Sequence, residues 1–206
     1  MTGVITRDSS IMGDPSCTQE AAFEYLKGKK NCKYTDADIK DAIIPAYYEQ
    51  GRKSGVNPTV AIAQMIHETG YLTSWWCARP RRNPAGIGVT GQTAPHLPPN
   101  AGINEWAYDA TEKIWKKGLP FESWVFNSVP AHMARLLGYA LSPKQMDDNQ
   151  WYYFSLHTAR RSVPARIIGC APTLAGLEGT WAVPGKGYAD KLAAHCNGMI
   201  KKEGQK

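Results

Sequence analysis

Ala61-Ile-Ala-Gln-Met-Ile-His-Glu-Thr-Gly70 carries the heart of this chain, and Asn83-Pro-Ala-Gly-Ile-Gly-Val-Thr-Gly91 follows it closely. Asn57 is a good helix N-cap and Pro58 suits the first helical position. Val60, Ala61, Ile62, Ala63, Met65 and Ile66 then make the helix apolar on nearly every side, which predicts a buried helix. Gly70 fits a left-handed C-cap. Glu68 therefore sits in the last turn of a buried helix, at the negative end of its dipole. Burial and dipole both disfavour the ionised carboxylate, the condition a general acid needs. Gln64, one turn earlier on the same face, is placed to orient the carboxyl group.

Outward from this helix, the pattern is mainly α with one small β element. Residues 1–16 are polar, with Gly and Pro, and read as a loosely held arm. A short helix is expected over 17–27. Thr35-Asp-Ala-Asp38 reads as a capping box for a helix running to about Gly51, which Pro45 must kink or divide. Residues 77–102, rich in Pro, Gly, Arg and Asn, are expected to be irregular. Residues 105–124 fit a short hairpin through Trp106, Tyr108, Ala110, Ile114 and Trp115. Helices are expected over 128–141, 151–156 and 188–200, and 201–206 reads as a tail. Residues 17–200 form one domain, as 206 residues allow.

A formal net charge of +6 suits a polyanionic surface such as a bacterial wall. No nucleic-acid partner, membrane insertion, metal or cofactor is expected. The first residues lack the apolar run of a secretory signal, so action on a wall implies release without one, or a chain that begins after one. The five cysteines, Cys17, Cys32, Cys77, Cys170 and Cys196, leave at least one unpaired within the chain. His67-Glu68 is not a zinc-protease motif, because position 71 is Tyr where a second His is needed. The glycine-rich segment lacks Gly-Lys-Ser/Thr and is no nucleotide loop. Cys77, beside Arg79, Arg81 and Arg82, could be a lowered-pKa nucleophile with a His base at 96, 132, 157 or 195.

Gln64-x-x-x-Glu68-Thr-Gly70, with Ser74 and Trp75-Trp76, resembles the Glu-Thr-Gly motif of the bacterial and phage glucosaminidases, the peptidoglycan hydrolases of glycoside hydrolase family 73. Asn83-Pro-Ala-Gly86-Ile-Gly is similar to that family's Asn-x-x-Gly-Ile turn. Phe121-Glu-Ser-Trp124, Thr180-Trp181-Ala and Tyr188-Ala-Asp-Lys-Leu192 resemble its later elements, in the family's order from about residue 34 to 200. The resemblance implies a lysozyme-like, two-lobed helical fold with a small β-hairpin lobe and a substrate groove. It also implies cleavage of the β-glycosidic bond after N-acetylglucosamine in peptidoglycan. Glu68 falls on the general acid and Tyr188 on the cleft Tyr. The second acid is left among Glu105, Asp109 and Glu112, with Glu112 slightly preferred and Glu122 just beyond. Gln64, Trp75, Trp76, Asn83, Gly86 and Trp181 are the candidates for substrate binding. A phage lysin or tail protein, or a bacterial autolysin, is the natural setting. The rival classes are a wall-binding module without catalysis and a Cys/His amidase.

Overall fold

The computed structural model describes residues 3–205. Its first elements are α1 (Gln19–Leu26), α2 (Asp36–Asp38), α3 (Ile44–Ser54) and α4 (Pro58–Thr69). A small sheet follows, formed by β1 (Thr93–Ala94), β2 (Trp106–Asp109) and β3 (Ile114–Lys117). The chain closes with α5 (Val129–Ala140), α6 (Asp148–Thr158) and α7 (Tyr188–Ile200). The fold is mainly helical with one small antiparallel sheet, as expected. No helix of the described residues is long and apolar enough to cross a membrane.

Helix α4 is the axis of the core. Every residue from Pro58 to Ile66 is buried. The Asn57 side chain accepts the Thr59 N–H, Pro58 opens the helix, and Gly70 closes it in the left-handed region at φ 57°. These are the signals read from the sequence. Around α4 pack α3, α5 and α7, whose inward faces add Tyr47, Met133, Leu136, Leu137, Leu192 and Met199. Gly138 lets the Phe154 ring of α6 lie directly on α5, where a Cβ would have no room.

At Pro45 the expected helix is divided by a change of helical form. A π-helical turn over Ile39–Ile43 precedes the proline, and Ile44 donates to Ile39 O. The wide turn lets Pro45 fall in the first turn of α3, where a missing N–H costs nothing. The same device recurs before Pro130: a π turn over Trp124–Ser128 delivers that proline to the first turn of α5.

Within the sheet, β3 lies between β1 and β2. Tyr108 faces Trp115 and Asp109 faces Ile114 across the β2–β3 pair. The β1 strand, in a segment expected to be irregular, pairs Thr93 with Lys116 and Ala94 with Trp115. Two residues of edge strand are too few to produce an alternating pattern.

The expected loose arm is instead tied down, because Ile11 is fully buried. Ile11 N donates to Pro172 O, and Ile11 O accepts from Asn57 N. Ile5 exchanges two hydrogen bonds with the Asn197 side chain of α7. A few scattered apolar residues, Val4, Ile5, Ile11 and Met12, give no periodicity, so the anchoring leaves no pattern to read. None of the five cysteines is paired: Cys17, Cys77 and Cys196 are buried, Cys32 is half-buried and Cys170 is exposed.

Candidate active site

Glu68 leaves the end of α4 half-buried. Its Oε1 accepts two hydrogen bonds, from Tyr188 Oη at 2.5 Å and Trp181 Nε1 at 3.1 Å. Its Oε2 has no hydrogen-bond partner among the described residues, yet is not sealed from solvent. Burial raises the Glu68 pKa above the ordinary carboxylate value, and the Tyr188 and Trp181 donors oppose that rise. Both donors are uncharged. They orient the carboxyl group without an ion pair that would hold it ionised.

Behind Tyr188 runs a buried chain of hydrogen bonds. Gln64 Nε2 donates to Tyr188 Oη at 2.8 Å. Gln64 Oε1 lies 2.8 Å from His132 Nε2, and His132 Nδ1 lies 2.9 Å from Tyr47 Oη. An amide oxygen only accepts, so His132 carries its proton on Nε2, and Nδ1 accepts from Tyr47. His132 is fully buried, and burial pushes its pKa down to about 3. The ring is therefore neutral at ordinary pH, as the donor order requires. Every bond in the series Tyr47, His132, Gln64, Tyr188 donates toward Glu68 Oε1.

Local structure explains how these groups meet. Gln64 and Glu68 share one face of α4. Tyr188 opens α7 directly after Gly187, which has φ 75°. Gly187 has no side chain to cap α7, and the Glu178 carboxylate accepts the Ala189 N–H instead. Arg7 holds Glu178 from the other side at 3.2 Å. Trp181 stands on the turn after Leu177 and packs against Tyr139 of α5, with ring centroids 5.1 Å apart and planes tilted by 54°.

Some expected binding residues have other work. Gln64 is fully buried and contacts Tyr188 and His132, so it cannot reach a sugar. Asn83 is likewise buried. Its Nδ2 donates to Ile87 O and Leu119 O, and its Oδ1 accepts from Ile87 N and Ala85 N. With every amide group spent on backbone, Asn83 builds the glycine-rich turn rather than touching substrate. Tyr188 is 5% exposed, so its hydroxyl reaches Glu68 while its ring packs inside rather than stacking on a sugar.

Trp75 and Trp76 stack on each other at 4.8 Å, with the Arg81 guanidinium within 6 Å of both rings. Trp76 lies across Gly118, beside β3, where any Cβ would meet the indole. Trp76 thus buttresses the hairpin, while Trp75 stands on its outer side, 36% exposed.

A cavity of about 160 Å³ opens beside Trp181, bordered by Gly86, Ile87, Arg135, Tyr139 and Arg161. Gly86 is exposed there with φ 61° and free space where a Cβ would stand. A second cavity of about 280 Å³ shares Gly88 and Arg161 with it and is bordered by Glu105 and Lys117. The other hairpin acids are held elsewhere. Asp109 Oδ2 and Glu112 Oε1 lie 2.9 and 2.6 Å from Lys116 Nζ. Asp109 Oδ1 also accepts the Thr111 and Glu112 N–H groups of the hairpin turn. Of the three candidates, Glu105 borders the second cavity, which meets the one beside Trp181 at Gly88 and Arg161.

Cys77 is fully buried and donates to Ser74 O at 3.0 Å. Burial pushes its thiol up to about 12, so it is no thiolate nucleophile despite the arginines nearby. Sequence reading named His132 only as a possible base for Cys77, and did not assign Tyr47 to the site. The available signal was a His amid the apolar residues of α5, since a buried imidazole demands partners. Among the described residues no three His, Cys, Asp or Glu side chains gather to hold a metal ion.

The family model described as glucosaminidase, mannosyl-glycoprotein endo-beta-N-acetylglucosaminidase, matches residues 44–200. Among solved structures, the catalytic domain of the autolysin Auto from Listeria monocytogenes is similar at 14% identity and a TM-score of 0.43. The match covers 90% of this chain and 87% of that one. No curated protein matches the chain in sequence.

Proposed function

This chain belongs to the glucosaminidase family of glycoside hydrolases, and on that premise we propose that it cleaves the bond after N-acetylglucosamine in bacterial peptidoglycan, with Glu68 as general acid. The observation that carries the assignment is the asymmetry of the Glu68 carboxyl group. Two neutral donors occupy Oε1, so the proton resides on Oε2, the oxygen left open. A proton held there by burial is ready for a leaving glycosidic oxygen. As the bond breaks, the carboxylate forms on a group already solvated by Tyr188 and Trp181, with no reorganisation of the site.

Tyr188 acts through Glu68. The buried series behind it fixes the phenol as a donor to Oε1, and His132 is the positioning residue that sets the direction. Glu105 is the second carboxylate, supported by its place on the cavity wall while Asp109 and Glu112 are paired with Lys116. It either activates water, giving inversion, or orients the substrate's acetamido group as internal nucleophile, giving retention.

Product analysis on purified cell walls tests the reading. New reducing ends terminating in N-acetylglucosamine are expected, and their anomeric form by NMR separates inversion from retention. New free amines, reducing ends on the alternate sugar, or cleavage of a mannosyl-glycoprotein but not of walls would each overturn it.

A further inference from the structure

Beyond the Glu68 constellation, the same face carries positive charge that acid catalysis does not use. Three cavities meet here. The two described above join a third of about 100 Å³ bordered by Phe121, Phe126, Leu156 and His157. Arg161 borders all three, Arg135 the first and third, and Arg160 the second and third. Lys117 adds a fourth cation, against one carboxylate, Glu105, on these walls.

These arginines are held without acids. Among the described residues none of the three forms a salt bridge. Arg160 Nη1 donates to Pro120 O at 3.2 Å, and its guanidinium lies 6.0 Å from the Phe121 ring. Arg135 Nη1 donates to Arg161 O at 3.1 Å, and its guanidinium lies 6.0 Å from the Trp181 ring. Carbonyl oxygens and ring faces thus orient the Arg135 and Arg160 guanidinium groups and leave most of their donors free. Gathering like charges around cavities costs free energy, and a half-buried, unpaired Arg135 adds to that cost. A ligand carrying a carboxylate offsets both, because the guanidinium fork matches it with two parallel hydrogen bonds.

We propose that Arg135, Arg160 and Arg161 form a carboxylate-binding subsite that reads an acidic branch of the glycan strand while Glu68 acts on the backbone sugar. Arg135 links the two regions, since it touches Trp181, which in turn holds Glu68. Phe126 and Leu156, 77% and 54% exposed, flank the arginines and offer apolar contact to short aliphatic parts of a peptide branch. The proposal deepens the substrate assignment above and rests on it. The carboxylate has two sources, the lactyl ether of a bare strand and the stem peptide of an intact one.

Binding is measured by calorimetry in the Glu68→Gln background, so that nothing is consumed. The ligands are peptide-bearing strands, strands stripped by an amidase to free lactyl carboxylates, and a neutral N-acetylglucosamine oligomer of equal length. The Arg160→Gln/Arg161→Gln double variant is expected to weaken binding to an acidic ligand by about tenfold or more, and to the neutral oligomer by less than about twofold. Loss confined to peptide-bearing strands identifies the stem peptide, loss confined to stripped strands identifies the lactyl group, and loss on both shows that the subsite takes either carboxylate. Arg161→Lys, which keeps charge but not the fork, should lie between. Both substituted arginines are exposed, and an unchanged melting temperature shows that the variant is folded. Equal weakening on all three ligands, or none on any, would overturn the subsite. If the wild-type enzyme releases no reducing ends but the arginine effect persists, the cleavage assignment falls and the subsite stands.

Discussion

The helical core and the β-hairpin both carry acids, and they treat them in opposite ways. Glu68, at the end of α4, has two neutral donors on one oxygen, and burial raises its pKa. Asp109 and Glu112 share the ammonium of Lys116, and Asp109 is pulled below its ordinary value first by that lysine. The contrast shows that the partner, not the carboxyl group itself, sets the chemistry. Neutral donors in a dry setting leave an acid able to give up a proton, whereas a nearby ammonium keeps it ionised.

The largest effect should come from removing the proton donor. Glu68→Gln is expected to lower turnover by ~10²–10⁴, the usual worth of general acid catalysis. A change within tenfold would end the contrast. The same variant should melt no lower than wild type at pH 7. A folded pKa raised above the unfolded one means that stability is full below the unfolded value and declines as pH rises through the folded one. Glutamine has no such decline, so its advantage should vanish near pH 4.

Next in size, Glu105→Gln should cut turnover by roughly ten- to a hundredfold if the second carboxylate lies on the cavity wall. Tyr188→Phe should cost about tenfold and also move the alkaline limb of kcat upward, because it removes a donor that favours the carboxylate. A limb that stays in place would detach Tyr188 from the acid.

His132 gives a smaller, sharper test. His132→Leu should reduce kcat severalfold with KM unchanged, and His132→Gln, which can still donate to Gln64 Oε1, should recover part of the loss. The acid limb of stability should also change. The folded pKa of His132, about 3, lies below the unfolded value, so its stability contribution is full above pH 6.5 and is lost as pH falls toward 3. Across that window the loss is roughly 4–5 kcal/mol at 1.4 kcal/mol per unit. Urea titrations at pH 7 and pH 4 should therefore show a smaller drop for His132→Gln than for wild type. Smallest of all, Asp109→Asn and Glu112→Gln should each alter turnover by less than about twofold, as expected of exposed ion pairs on a turn. A large loss from either would return the second carboxylate to the hairpin tip.

Much of this arrangement was written locally. The caps of α4, the start of α7 at Tyr188 and the pairing of Tyr108 with Trp115 all follow from residues near one another in the chain. Pro45 announced a divided helix but not the π turn that divides it, because one proline cannot announce which remedy its helix adopts. The series behind Tyr188 was illegible for another reason. Tyr47, Gln64, His132 and Tyr188 lie on four helices, and only their packing brings them together. Asn83 was misread because an amide that ties a turn together looks, in sequence, like one that greets a ligand.

The unpaired cysteines have one further consequence. With no covalent cross-link between segments, the native state is closed by non-covalent contacts alone. Its stability should therefore not depend on the thiol–disulfide potential of its surroundings. Such a fold can form in a reducing medium and keep the same shape in an oxidising one. The thiol open to an oxidant is Cys170, while Cys17, Cys77 and Cys196 are shielded by the core that they help to fill.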